Sequence, residues 1–151
     1  MRNLMSRIRT MSETQARFYV VELALAIKHM HENLDSIYRD LKPSNIALTE
    51  EGHLELIDFG LCKLNINFFE QTHTFCGSNA YLSPEMILGE GHGKALDWYG
   101  IGVVFFELLT GKPPYFDESP EKMMQNIKSG DIDYPARLSP EAKDFLRKVG
   151  P

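Results

Sequence analysis

Two acids, one lysine and one amide lie in two short segments of the chain, Asp40–Asn45 and Asp58–Gly60. Mg²⁺ prefers hard oxygen ligands and keeps several of its waters, so Asn45 and Asp58 together could supply its protein ligands. Asp40 would then lie beside the metal, close enough to accept a proton from a hydroxyl group, and Lys42 could offset the charge of a phosphate. Metal ligands, a cationic group and a residue that orients an incoming hydroxyl are what phosphoryl transfer requires.

The twelve residues between Asn45 and Asp58 predict a hairpin. Two short apolar stretches lie on either side of Glu51-Gly52, which is a turn signal, so residues 46–57 predict a strand, a turn and a second strand. A hairpin brings its two ends together. It would therefore return Asp58 towards Asn45 despite their separation in the sequence.

The flanking regions predict helices. Ser12 and Gln15 form a capping-box pattern ahead of apolar residues at helical intervals, which predicts a helix from about Glu13 to Glu32. Residues 96–110 are apolar on nearly all sides, as in a buried helix, and the glycine that follows them is a stop signal.

Three shorter helices are predicted at residues 84–88, 119–129 and 139–149; the last two ranges each begin with a serine-proline pair, which suits a helix start. Residues 61–83 show no regular pattern. The sequence therefore predicts an α+β fold that is mainly α-helical, with one small β-hairpin.

Composition excludes several classes of protein. The chain has 151 residues, 43% hydrophobic and 25% charged, which is typical of one globular core. Its net charge of -5 gives no electrostatic reason to expect a nucleic-acid partner. No apolar run approaches the roughly 20 residues of a membrane span. The two cysteines, Cys62 and Cys76, favour reduced thiols. We therefore expect a cytoplasmic protein without a membrane span.

Four segments of the chain, in order and at matching spacing, resemble motifs of the eukaryotic protein kinases. The family's catalytic-loop motif H-R-D-L-x-x-x-N occurs with tyrosine in place of histidine, and its A-P-E motif occurs with serine in place of alanine. The D-F-G motif is intact, and an Asp-Trp pair is similar to the start of the family's buried central helix. The four segments are Tyr38–Asn45, Asp58–Gly60, Thr74–Glu85 and Asp97–Gly102.

Two further details narrow the resemblance. Lys42, two residues after Asp40, is typical of the serine/threonine branch. Tyr38 and the runs Asp-Phe-Gly-Leu-Cys-Lys and Thr-Phe-Cys-Gly resemble the AGC group, which contains protein kinase B, protein kinase C and the cyclic-nucleotide-dependent kinases. The resemblance implies a transferase that uses ATP and Mg²⁺ to phosphorylate serine or threonine in a protein substrate.

The resemblance also implies roles for individual residues. Asp40 matches the catalytic base, and Lys42 matches the lysine that contacts the phosphate. Asn45 and Asp58 match the magnesium ligands. Three supporting positions are Ser78, whose hydroxyl bridges the base and the lysine, Ala47, which lies beneath the adenine, and Asp97, which fixes the catalytic-loop backbone.

A regulatory site is implied in the same way. In kinases that are controlled through the activation segment, the arginine before the catalytic acid pairs with a phosphorylated residue. Arg39 and Thr74 match these two positions, and Lys63 matches a second cationic contact. A phosphate carries a charge of about -1.5 to -2, so two cations could order the segment around it. An upstream activating kinase is therefore an expected partner.

The resemblance extends over nearly all 151 residues but only to the carboxy-terminal lobe of a kinase. We expect residues 1–151 to form one partial kinase domain, truncated at both ends, without the amino-terminal lobe and its glycine-rich loop. We also expect Glu85 of the A-P-E motif to lack the family's arginine partner. Negligible phosphoryl transfer is expected from the isolated chain.

Departures from the family pattern suggest altered specificity. Ser44 and Ala80 replace glutamates that bind substrate arginines in basophilic relatives, and only Glu107 remains acidic among the matching positions. A weakened preference for arginine is therefore expected. Ala47 stands where relatives have leucine or methionine, which thins the floor of the nucleotide pocket.

Two alternatives to an enzyme fragment are open. The chain could be a catalytically inactive lobe that binds proteins or competes with a complete enzyme. It could also be a helical interaction domain unrelated to kinases, although four ordered motifs disfavour this reading.

Overall fold

Eight regular elements make up the fold in a computed structural model, which describes residues 1–150. A 3-10 turn at Pro43–Asn45 precedes the first strand, and another at Asn79–Tyr81 precedes the third helix. The elements are α1 (Arg2–Ile8), α2 (Glu13–Asn33), β1 (Ile46–Leu48), β2 (Leu54–Leu56), α3 (Pro84–Leu88), α4 (Ala95–Thr110), α5 (Pro120–Ser129) and α6 (Pro140–Val149).

Helix α2 begins at the capping box that the sequence predicted. The Ser12 hydroxyl accepts a hydrogen bond from the Gln15 backbone N–H at 3.3 Å, and the Ser12 N–H donates to the Gln15 side chain at 3.0 Å. Each side chain thus satisfies a backbone group that a helix start leaves without a partner. The predicted helix is confirmed to within one residue at its end.

Helix α4 contributes more residues to the main buried cluster than any other helix. It packs against both α2 and α6, and Ile101, Val104 and Leu108 are almost completely buried in the same cluster as Ile27 and Leu146. Burial on nearly all sides is what its uniformly apolar sequence predicted. The core therefore fixes three helices relative to one another.

The segment that follows α2 packs closely on α4 through Gly100. A β-carbon at Gly100 would lie 3.0 Å from the Leu41 β-carbon, which is closer than ordinary van der Waals contact. Leu41 is itself buried in the main core. The absence of a side chain at Gly100 thus lets Leu41, the residue after Asp40, pack directly on the buried helix.

The predicted hairpin is confirmed. Strands β1 and β2 are antiparallel, with Ile46 opposite Leu56 and Leu48 opposite Leu54. The Ile57 N–H donates to the Asn45 carbonyl at 2.9 Å, which extends the pairing by one step. Asp58, the next residue, therefore follows directly after this pair, at the open end of the hairpin.

Within residues 61–83 the only regular element is the 3-10 turn at Asn79–Tyr81. Two pairs of backbone hydrogen bonds nevertheless hold this segment to the rest of the fold. Ile37 and Lys63 exchange hydrogen bonds of 2.9 Å, and Thr72 and His92 exchange bonds of 2.9 and 3.0 Å. The predicted irregular segment is thus held at two points.

Helix α1 was not predicted. It has seven residues and no side-chain N-cap, and short helices are marginal without tertiary contacts. Its Met5 is buried in the main core, and the Met11 N–H just beyond it donates to the Leu108 carbonyl at 2.7 Å. Packing on α4, which sequence periodicity does not reveal, stabilises this helix. None of the helices within residues 1–150 has the length and apolar character that crossing a membrane requires.

Candidate active site

The buried Asp97 carboxylate fixes the backbone that leads into Asp40. One Asp97 oxygen accepts the Tyr38 N–H at 2.8 Å, and the other accepts the Arg39 N–H at 2.8 Å. Asp97 lies in the first turn of α4 and is 1% exposed. Arg39 adopts a left-handed backbone conformation, with φ 71°. Such a conformation is costly for a residue with a side chain, so it persists because these contacts hold it.

His31 completes this support. Its Nε2 lies 2.8 Å from the Asp97 oxygen that also accepts the Tyr38 N–H. Sequence reasoning missed this residue. A signal was present, because His31 follows Ile27 by four residues and so continues the buried stripe of α2 as a polar group. A buried polar group needs a partner, and Asp97 is that partner.

Three polar side chains converge on Asp40. The Lys42 ammonium lies 2.6 Å from Asp40 Oδ2, and the Asn45 amide nitrogen lies 2.9 Å from the same oxygen. The Ser78 hydroxyl lies 2.7 Å from the Lys42 ammonium and 3.3 Å from Asp40 Oδ1. Both oxygens of a carboxylate that is 6% exposed are thus held in one orientation by three donors.

Gly77 brings Ser78 to this cluster. It has φ 105, and a β-carbon there would lie 3.4 Å from the Arg39 carbonyl oxygen. Glycine adopts this backbone conformation without a steric cost. The segment of residues 61–83 can therefore approach Arg39 closely and direct the Ser78 hydroxyl to Asp40.

Asp58 lies apart from the Asp40 cluster. It is exposed, has φ 63, and accepts the Gly60 N–H through Oδ1 at 3.2 Å. Tyr38 contacts the residues on both sides of Asp58. Its hydroxyl donates to the Ile57 carbonyl, and its ring packs edge-on against the Phe59 ring, with 5.6 Å between the ring centroids. Burial raises the pKa of Tyr38 well above its usual range, so the hydroxyl stays a donor at neutral pH.

The oxygen atoms of Asn45 and Asp58 fit a magnesium ion. The Asn45 amide nitrogen is engaged by the Asp40 carbonyl and carboxylate, at 3.0 and 2.9 Å, so its amide oxygen is the atom left for a ligand. Asp58 adds an exposed carboxylate at the same end of the hairpin. Two hard oxygen ligands suit an ion that keeps most of its waters.

Ala47, the residue expected beneath the adenine, pairs with Glu55 in the hairpin and is partly exposed.

Within the described part of the chain, no hydrogen bond or ion pair joins any two of the three residues of the implied regulatory site. Thr74 is exposed, and its hydroxyl lies 3.4 Å from that of Thr72. The Lys63 side chain is exposed. The Lys63 backbone pairs with Ile37, which lies two residues before Arg39 in the sequence. The Arg39 Nε donates to the Leu61 carbonyl at 2.7 Å, whereas Arg39 Nη1 is buried and has no partner among residues 1–150.

Two further acids occupy partly buried positions. Glu85, in α3, makes no side-chain hydrogen bond or ion pair within the described residues. Glu107, in α4, accepts a hydrogen bond from the Tyr81 hydroxyl at 2.7 Å. Burial raises the pKa of Glu107, and the Tyr81 bond opposes that rise. Sequence reasoning did not find Tyr81 as the partner of Glu107.

Comparison with known proteins agrees with this geometry. A protein kinase domain model matches residues 1–149, and the chain belongs to the protein kinase domain family. The predicted family and the predicted fold class, α+β and mainly helical, are confirmed.

The relatives narrow the family to AGC-group serine/threonine kinases. The chain is 49% identical to serine/threonine-protein kinase YPK1 of Saccharomyces cerevisiae, over 88% of the chain and 19% of that protein. It is 45% identical to ribosomal protein S6 kinase beta and 42% identical to serine/threonine-protein kinase akt-1, both of Caenorhabditis elegans; each match covers 91% of the chain and 25% of the relative. The chain thus spans about a fifth to a quarter of these relatives.

Replacing Asp97 should destabilise the fold. Asp97→Ala leaves the Tyr38 and Arg39 N–H groups and the His31 ring without their acceptor. We expect the free energy of unfolding to fall by about 3–5 kcal/mol, as when a buried charged partner is removed. Urea denaturation measures this loss.

The exposed Asp144 provides the matched control, because its ion pair with Lys148 lies at the surface and Asp144→Ala should change stability by less than about 1 kcal/mol. An equally small change for Asp97→Ala would show that the carboxylate does not hold the loop.

Proposed function

We propose that this chain carries the catalytic loop and the metal-binding half of an ATP- and magnesium-dependent protein serine/threonine kinase. The observation that carries the proposal is the orientation of the Asp40 carboxylate by Lys42, Asn45 and Ser78, in a chain of the protein kinase family. Residues 1–151 would form part of a larger kinase domain, which fits the fraction of each relative that the chain spans.

Asp40 would orient the substrate hydroxyl and accept its proton. Its two oxygens are already fixed by three donors, so little reorganisation is needed when a hydroxyl arrives. Lys42, 2.6 Å from Asp40, could also place its positive charge next to a phosphate that approaches the same hydroxyl. The Ser78 hydroxyl, which contacts both side chains, would hold Lys42 and Asp40 in their relative positions.

Asn45 and Asp58 would hold Mg²⁺, and Ala47 would lie beneath the adenine of ATP. Bound ATP-magnesium would supply the phosphoryl group and the positive charge that stabilises its transfer. The fit of the ligand oxygens supports this assignment, as does the coupling of both residues to one hairpin through the Ile57–Asn45 hydrogen bond. The partner would be a protein that presents a serine or threonine. The free thiols of Cys62 and Cys76 support a cytoplasmic location.

Thr74 would be a phosphorylation site for an upstream kinase. The buried Arg39 Nη1, which lacks a partner among the described residues, supports this role, because an unpaired buried donor is costly and a phosphate would satisfy it. Lys63 would add a second cation from the neighbouring backbone pair. Phosphorylation would therefore draw an exposed threonine towards the residue next to Asp40.

Asp40→Asn in the complete enzyme should lower kcat by about 10²–10⁴-fold, since the amide cannot act as the base. The fold should persist, because the amide oxygen still accepts one hydrogen bond. Glu50→Gln, the corresponding change in the exposed hairpin turn, is the control and should leave kcat unchanged. Radiolabelled phosphate transfer to a protein substrate measures both variants. Equal kcat values for Asp40→Asn and the unmodified enzyme would contradict the proposed role.

Phosphorylation of Thr74 should stabilise the chain by about 1–3 kcal/mol, through new charge-assisted hydrogen bonds to Arg39. Chemical denaturation of the phosphorylated and unphosphorylated chains measures the gain. Arg39→Ala should abolish most of it, and Arg39→Lys should retain part of it. A gain that is the same in all three backgrounds would show that Arg39 does not bind the phosphate.

A further inference from the structure

A groove of about 640 Å³ opens next to the Asp40 cluster. Lys42 and Ser78, which contact Asp40, form one part of its wall, so the groove is continuous with the candidate catalytic centre. It then extends past the 3-10 turn at Asn79–Tyr81 to the loop that follows α4. Its charged and aromatic lining consists of Arg2, Lys42, Tyr81, Glu107, Lys112 and Phe116.

Two cations of the groove are available to a ligand. Arg2 and Lys112 are both exposed, and neither forms an ion pair among residues 1–150. The Lys112 ammonium lies 5.3 Å from the centroid of the Phe116 ring, which restricts its position. Lys42 contributes less free charge, because Asp40 is 2.6 Å away.

Arg2 lines the groove together with Tyr81. Burial raises the pKa of Tyr81, the neighbouring Glu107 raises it further, and the charge of Arg2 opposes this rise. Arg2 lies in the helix that the sequence did not predict, so its place in the groove could not be inferred from motifs.

The negative charge available in the groove is small. Glu107 is its one acid, and its carboxylate already accepts the Tyr81 hydroxyl at 2.7 Å. Ser44 and Ala80 also line the groove, and neither carries a charge. A substrate arginine would therefore meet two free cations and one acid that is already hydrogen-bonded.

We propose that this groove binds acidic residues next to the phosphorylated serine or threonine of a protein substrate, through Arg2 and Lys112. The inference rests on the proposed kinase function, because it names the substrate class for that same site. It goes beyond a weakened preference for arginine, since it assigns a preference for the opposite charge. Carboxylates of the substrate would pair with the two cations while its hydroxyl lies at Asp40.

Binding of three labelled peptides to the 151-residue chain tests the proposal without any phosphoryl transfer. The peptides have equal length and a central serine, and the flanking residues are glutamate, alanine or arginine. Fluorescence anisotropy at low ionic strength should show the glutamate peptide binding about two- to thirtyfold more tightly than the alanine peptide, as two exposed charge contacts allow. The arginine peptide should bind most weakly, and added salt should reduce the difference.

Arg2→Glu/Lys112→Glu should reverse the order of the glutamate and arginine peptides. Arg7→Glu/Lys128→Glu makes the same change in net charge at exposed positions outside the groove, and it should preserve the order. Thermal unfolding of each variant checks that it is folded. The proposal is overturned by tighter binding of the arginine peptide, by no binding of the glutamate peptide, or by reversal in the control variant.

A separate transfer assay with the complete enzyme and the alanine peptide distinguishes the two proposals. Failure of transfer with the glutamate preference intact would contradict the kinase function. Transfer without that preference would contradict the acidic specificity alone.

Discussion

The buried carboxylate of Asp97 is the contact on which the site depends. It accepts two consecutive backbone N–H groups, from Tyr38 and Arg39, and it contacts the His31 ring. This arrangement connects α2, α4 and the loop that begins at Tyr38 through one side chain. A charge that is 1% exposed is stable only with such a set of donors, so the loss of any one of them affects the others.

The loop conformation has a direct chemical consequence. Because Arg39 is held with φ 71, the chain turns between Tyr38 and Asp40. Tyr38 then points its ring at Phe59 and its hydroxyl at the Ile57 carbonyl, while Asp40 meets Lys42, Asn45 and Ser78. Arg39 thus separates two side chains with different roles. Tyr38 supports the loop that contains Asp58, the proposed metal ligand, and Asp40 is the proposed base. Gly100 allows Leu41, the residue after Asp40, to pack directly on α4.

Most of the fold was predictable, because local signals and tertiary packing agree. The capping box at Ser12, the serine-proline starts of α5 and α6 and the apolar sequence of α4 all gave element bounds within about two residues. Helix α1 was missed because its stability comes from contacts with α4 and the core. A seven-residue helix without a side-chain cap gives no comparable local signal.

The motif residues of the candidate site were predictable from the sequence, but several of their partners were not. The motifs identified Asp40, Lys42, Asn45 and Ser78, which the fold brings together. They did not reveal the partners that come from distant elements. The positions of these partners depend on long-range packing, and spacing along the chain carries no information about them. They are His31 of α2, Tyr81, which contacts Glu107, and Arg2 of α1. The contacts proposed for phosphorylated Thr74 are likewise absent from the unphosphorylated chain.

Asn45 and Asp58 are proposed to form the metal-binding half of a phosphoryl-transfer site. Titration of the isotope-labelled chain with Mn²⁺, followed by paramagnetic broadening of its NMR signals, tests this most directly. We expect selective broadening of the Asn45 side-chain amide and Gly60 N–H signals, and the loss of this broadening in Asp58→Ala. Broadening centred instead on the acidic turn at Glu50 and Glu51, with Asn45 and Gly60 unaffected, would contradict it.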